Sequence, residues 1–379
     1  MENILFINCS LKVPFWALRA ALFPSSRPHR SWSVKKTVLL YLTRKALSLF
    51  SILHLGFFEN DVEIPDGTYK NTKFVWIEAE REESIRGQVK LFAERANVKP
   101  LKTSAFWYFK SGTFTSGAVE PAKVGEKHGT AHPQGVYASI PKGILRRTTT
   151  LTRILAIDYH LCSSAPFEPN HPFPTALLDI IAGYRYLLEL GFNSENVIVA
   201  GDSAGGNLTL ALTRHIKETA VLPMPGRLLL LSLWGDISAS DNGPTSSLRL
   251  NLPFDIFTNT PSILEESFAG YGIRSYLGSA FTFDTDAKIN PYLSPTSPHI
   301  THTDGEYQRY PKTFIIVGSM ERILDDSTTM VSYLQKDNLG PDHIIIHIAN
   351  AAVHDFLLFG WAKPERTETF LRIAQWIDG

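Results

Sequence analysis

The chain has 379 residues, 44% apolar and 20% charged, with 37 Lys and Arg matched by 37 Asp and Glu. That composition supports a large buried core, excludes a disordered or collagen-like polymer, and leaves no net field to draw the chain to nucleic acid. Two cysteines, Cys9 and Cys162, are too few for a disulfide framework or a zinc site, so a reducing, cytoplasmic location is expected.

At the N-terminus Glu2 stands where a signal peptide carries positive charge, and Lys12, Pro14 and Arg19 interrupt the first apolar stretch, so no cleaved signal is expected. The next apolar stretch, residues 38–55, has Arg44 and Lys45 near its middle, where each charge would cost roughly 2.5 to 3.5 kcal/mol in a bilayer. It reads as an amphipathic helix packing on the domain as part of a lid, with peripheral membrane contact as the alternative. Residues 1–72 are accordingly expected to form a helical cap region and 73–379 the catalytic domain.

From residue 73 short apolar runs alternate with helix-period segments, the pattern of an α/β fold. Strands are expected at 74–77, 105–109, 154–157, 197–200, 228–231, 314–317 and 344–348; several are apolar at consecutive positions, as buried parallel strands are. Leu177, Ile180, Ile181, Tyr184 and Leu188 recur at helical spacing with Gly191 as a C-cap, and helices are also expected after Gly206 and over 370–377. Residues 237–310 are broken by Ser, Asn, Pro and Asp, with one short helix around 263–268. They read as an insertion above the strand ends.

The sharpest local signal is Asn196-Val-Ile-Val-Ala-Gly-Asp-Ser203-Ala-Gly-Gly206, a strand running through G-x-S-x-G into a helix. A serine on such a turn is lifted from the sheet at a helix N-terminus, where developing negative charge is favoured. Its hydroxyl needs a base and the base an orienting carboxylate, both later in the chain. Glu321 is the first carboxylate after the strand at 314–317, and His354 follows the strand at 344–348, so the two are expected on adjacent strand ends. Asp325 and Asp326 are alternative orienters. His347 lies mid-strand, and His128, His132 and His171 lie in polar loops without metal-ligand spacing. With His354 as base, the rate should rise through an apparent pKa of roughly 6 to 7.

The chain resembles α/β-hydrolases of the hormone-sensitive-lipase-like family, a group that includes bacterial esterases, arylacetamide deacetylases and fungal biosynthetic hydrolases. The resemblance runs from about residue 100 to the C-terminus. It rests on Asp158-Tyr159, His171-Pro-Phe-Pro-Thr-Ala-Leu-Leu-Asp179, Gly201-Asp-Ser-Ala-Gly-Gly-Asn207, Asn290-Pro-Tyr-Leu-Ser-Pro295, the stretch from Glu321 to Asp326, and Val353-His-Asp-Phe356. It implies a central, mostly parallel sheet flanked by helices, a helical cap, and cofactor-free hydrolysis of small or medium acyl esters, with secondary-metabolite biosynthesis as one setting. No metal and no nucleic-acid partner are implied.

The family's H-G-G-G loop, whose backbone N–H groups hold the oxyanion, has no clear counterpart. After the apolar run 105–109 stands Lys110-Ser111-Gly112-Thr113, and Gly112, Thr113 and Ala204 are taken as the oxyanion donors. His128-Gly129-Thr130 looks closer to the motif, but residues 120–127 before it read as too polar for a buried strand. Residues 115–153 also lack a clear helical pattern. The altered loop keeps open a second function, a small-molecule-binding protein on the same scaffold.

Overall fold

In the computed structural model, which describes residues 2–52, 64–65, 68–110, 122–126, 131–258, 267–340 and 342–379, every expected strand is present. They are β1 (Thr72–Ile77), β2 (Thr103–Phe109), β4 (Arg153–Asp158), β5 (Ile198–Asp202), β6 (Arg227–Leu231), β7 (Lys312–Gly318) and β8 (Ile344–Ala349). An eighth, β3 (Ala122–Glu126), falls in the stretch that reads as too polar. The sheet order is β1-β2-β4-β3-β5-β6-β7-β8. β2 runs antiparallel to both its neighbours, and the six strands from β4 to β8 are parallel.

The helices are α1 (Glu2–Leu22), α2 (Val34–Ile52), α3 (Gly87–Ala96), α4 (Ser139–Leu145), α5 (Thr175–Glu189), α6 (Ala204–Thr219), α7 (Ser247–Leu250), α8 (Phe268–Leu277), α9 (Asp286–Ile289), α10 (Leu324–Asp337) and α11 (Glu365–Asp378). The stretch at 38–55 expected to form an amphipathic helix is α2 as far as Ile52. The helix expected around 263–268 falls largely outside the described residues, and α8 begins at Phe268. α4 occupies a region with no clear helical signal, because it is only seven residues long and carries Pro141 in its first turn.

Strand alternation sorts the core into two layers. Trp107, Leu155, Ile157, Val199 and Leu230 face one side with α3, α5, α6 and α10, whereas Phe106, Ile154, Ala156, Ile198 and Leu229 face the other with α4 and α11. Trp32 and Leu40 of the N-terminal region join the second layer, each 1% exposed or less. Trp32 Nε1 and Lys36 Nζ donate to Ala351 O at 3.0 and 3.2 Å, and Lys36 pairs with Glu365 at 2.8 Å. α2 therefore sits against the loop that follows β8.

Two motifs separated in sequence meet at the end of β4. His160 donates from its backbone N–H to Asp179 Oδ2 at 2.9 Å, and its Nδ1 lies at the same distance from that oxygen. The buried start of α5 is thereby pinned to the strand beside β3.

Candidate active site

Ser203 follows β5 directly and opens α6, with φ 55° and ψ −115°, a strained backbone for a residue with a Cβ. Two features hold it there. The Ser203 N–H donates to Leu231 O at 2.8 Å, and Ser203 O accepts from Trp234 N at 3.2 Å, so the turn is tied to the end of β6 on both sides. Gly201 is required, since a Cβ there would stand 2.1 Å from Gly205 O. Asn207, one turn into α6, donates to Trp234 O at 3.0 Å and Leu293 O at 2.8 Å, which joins the helix that Ser203 opens to the Asn290-to-Pro295 motif.

His354 lies between the serine and the acid. Its Nε2 is 3.0 Å from Ser203 Oγ and its Nδ1 is 3.1 Å from Glu321 Oε2. Glu321 is fixed through its other oxygen, which accepts from Gly318 N at 2.5 Å and Ser232 Oγ at 2.8 Å. The acid and base loops come together because β7 and β8 are neighbours, and Gly318 lets them close: a Cβ there would stand 2.3 Å from Ala352 O. Ser203, Glu321 and His354 are 8, 0 and 2% exposed. Burial pushes the Glu321 carboxyl up to about 7, opposed by the imidazole beside it.

The alternative orienters have other work. Asp325 Oδ2 accepts from Ser247 N at 2.6 Å. Asp326 Oδ2 accepts from Gly235 N and Asp236 N at 2.8 and 3.1 Å, and burial pushes its carboxyl well above the usual range. Both fasten the loops beyond β6 to α10, whereas Nδ1 of His354 is taken by Glu321. His347 bonds Thr369 through Nε2 at 3.1 Å, in keeping with a structural role.

Four residues with no catalytic assignment in the sequence complete the setting. Asp255, in the 237–310 insertion, accepts from the backbone N–H groups of His354, Arg322 and Ile256 at 2.9, 2.8 and 2.7 Å; burial raises its carboxyl pKa. Arg44 of α2 donates to Asp255 O at 2.7 Å and Pro253 O at 2.8 Å, and Phe257 packs on the imidazole with ring centroids 5.3 Å apart. Asp355 places Oδ2 3.2 Å from His354 Nε2. Burial alone lowers the pKa of His354, but the carboxylates of Asp355 and Glu321 outweigh it and hold the imidazole well above its ordinary value. An isolated Asp in a polar loop leaves no periodic signal, so Asp255 is not legible in sequence; the pairing of Asp355 with His354 is visible as adjacency alone.

Ala204 is the first residue of α6, where a helix leaves its leading N–H groups without intrahelical partners. Gly112 and Thr113 lie outside the described residues. The strand before them, however, ends at Phe109, opposite Arg153 and in line with Ala122, the first residues of β4 and β3. Ser203 is at the other edge, roughly 20 Å away along strands rising about 3.3 Å per residue. Four residues past Phe109 reach at most about 14 Å, so the direction of β2 counts against Gly112 and Thr113 as oxyanion donors. The strand that ends beside Ser203 is β3: Glu126 pairs with Gly201.

A sequence profile described as alpha/beta hydrolase fold matches residues 138–358. An esterase of Acinetobacter venetianus is 27% identical over 226 residues, covering 60% of this chain and 64% of that protein. Mouse arylacetamide deacetylase is 24% identical over 252 residues, covering 53% and 58%. The chain thus spans less than two thirds of the length of these curated relatives. Among solved structures, carboxyl esterase 2 of the fungus Tuber melanosporum superposes with a TM-score of 0.62 at 16% identity, over 90% of this chain and 97% of that one. An esterase of the bacterial hormone-sensitive lipase family gives 0.58 at 19% identity, over 98% and 97%. With the profile spanning more than half of its length, the chain belongs to the alpha/beta hydrolase fold family, as its resemblance to hormone-sensitive-lipase-like esterases implied.

Proposed function

We propose that this protein is a carboxylic ester hydrolase acting on small or medium acyl esters through an acyl-enzyme. The observation that carries the reading is His354 bridging Ser203 Oγ and Glu321 through its two ring nitrogens. Ser203 Oγ attacks the ester carbonyl carbon while Nε2 takes the hydroxyl proton, and the imidazolium is stabilised by Glu321 on Nδ1. The C–O bond to the alcohol then breaks as Nε2 returns the proton to the departing oxygen. Water adds to the acyl-serine by the same route, releasing the acid and regenerating Ser203. The N–H of Ala204 supports one oxyanion contact, preorganised at the head of α6. The esterase and deacetylase names of the relatives support the ester class; a place in secondary-metabolite biosynthesis rests on the family resemblance alone.

The small-molecule-binding alternative drew its support from the altered loop at 110–113, and β2 ending at the far sheet edge weakens that support. The test is hydrolysis of short-chain p-nitrophenyl esters with covalent labelling by a fluorophosphonate. Turnover and labelling are expected in the native chain and absent in Ser203→Ala. A folded native chain that binds such esters yet neither turns over nor labels would favour the binding protein.

A further inference from the structure

Over residues 12–22 the N-terminal helix pair buries one side of α1 and leaves the other uncovered. Val13, Trp16, Ala17 and Ala20 turn inward, with Trp16 packed on Tyr41 of α2 at 5.4 Å between ring centroids. On the opposite side Phe15, Leu18 and Leu22 follow at i, i+3 and i+7, and with Phe23 they are 59, 59, 63 and 60% exposed. Single exposed apolar residues are ordinary, but three large ones on one helical face with a fourth, Phe23, directly after the helix mark a contact surface. Lys12 and Arg19, three residues before and four after Phe15, are exposed on the same face.

The charge around this face is one-sided. Between Asn3 and Phe58 the chain carries eight Lys and Arg and no Asp or Glu, which leaves 29 basic against 36 acidic residues from Glu59 onward. The segment that carries the apolar face is therefore net positive in a neutral protein, with Lys12 and Arg19 on α1, Arg27 and Arg30 after it, and Lys35 and Lys45 on α2, while Lys36 and Arg44 are turned to Glu365 and to the 253–255 carbonyls. Nucleic acid would satisfy the charge but leave the four apolar side chains in water, and among the described residues no helix is long and apolar enough to cross a membrane. We propose that the outer face of α1 docks on an anionic lipid bilayer surface, with Phe15, Leu18, Leu22 and Phe23 in the headgroup boundary and Lys12 and Arg19 against lipid phosphate and carboxylate groups. An amphipathic helix with interleaved basic residues lies in the interface plane in this way. The inward face stays on α2, so docking requires no rearrangement of the catalytic domain. The inference is independent of ester hydrolysis.

Co-sedimentation of the full chain with vesicles of phosphatidylcholine alone, or with phosphatidylserine mixed in, tests it. Partitioning onto the serine-lipid vesicles is expected to be stronger by about tenfold or more at low salt and to fall as salt rises. Phe15→Ser with Leu18→Ser should weaken it by about tenfold or more, and Lys12→Glu with Arg19→Glu should remove the preference for phosphatidylserine. Unchanged far-ultraviolet circular dichroism shows that the variants keep their fold. Absence of wild-type binding to either vesicle, equal binding to both, or full retention in both folded variants overturns the proposal. Binding to duplex DNA that persists in the Phe15 and Leu18 variant would instead assign the basic face to nucleic acid and overturn it as well.

Discussion

The carboxylate of Asp355 lies 3.2 Å from Nε2 of His354, the same nitrogen that faces Ser203 Oγ at 3.0 Å. Asp355 reaches it from a left-handed backbone at φ 51°, with its N–H donated to Ser232 Oγ at 3.2 Å; that hydroxyl in turn donates to Glu321. The imidazole thus has a carboxylate at each nitrogen. This arrangement favours the imidazolium and moves the base away from the pKa of roughly 6 to 7 that an unperturbed histidine suggests.

Because His354 must be neutral to accept the serine proton, activity is expected to rise with pH through a midpoint above the ordinary imidazole value. Asp355→Asn keeps a residue tolerant of the left-handed backbone and removes the charge. Its ascending limb in kcat/KM against pH is expected to move to lower pH. An unmoved limb in an active Asn variant would show that Asp355 does not act on His354.

Glu321→Gln is expected to lower kcat by about 10⁴-fold, because a carboxamide neither stabilises the imidazolium nor holds its tautomer. Asp325→Asn should leave kcat within about threefold and reduce stability by about 1 kcal/mol through the weakened bond from Ser247. Steady-state kinetics and urea unfolding on the same preparations separate the two; the opposite ranking would transfer the orienting role to Asp325.

Asp255→Ala strips three backbone N–H groups of their buried acceptor, and one of them belongs to His354. We expect a loss of roughly 2 to 5 kcal/mol in unfolding free energy, together with a fall in kcat that exceeds any rise in KM. A variant of native stability and native kcat would refute the supporting role of the insertion.

Proline scanning separates the two candidate oxyanion loops, since it removes the N–H itself. Thr113→Pro should change kcat by less than about twofold. Gly129→Pro and Thr130→Pro, in the connection leaving β3 where Glu126 pairs with Gly201, should each lower kcat by about 10² to 10³-fold with little change in KM. A large effect at Thr113 alone would restore Gly112 and Thr113 as donors and contradict the direction assigned to β2.

Seven of the eight strands among the described residues, the helices α5, α6 and α11, and the candidate set Ser203, Glu321 and His354 were legible in the sequence, because apolar runs, helical periodicity and the Gly-x-Ser-x-Gly turn are local signals. β3 was not, because its place is secured by backbone pairing with β4 and β5 rather than by an apolar run in Ala122-Lys-Val-Gly-Glu126. Strand direction was equally invisible: nothing within Thr103–Phe109 states that β2 runs against β4, and that one reversal moves the end of the strand to the edge away from Ser203. The choice of Glu321 over Asp325 and Asp326 also needed the fold, since three carboxylates within six residues are distinguished only by which backbone amides and which imidazole they meet. Asp255 reaches His354 from a segment about 100 residues away in sequence, and Arg44 reaches Asp255 from about 210 residues away, proximities that only long-range packing creates.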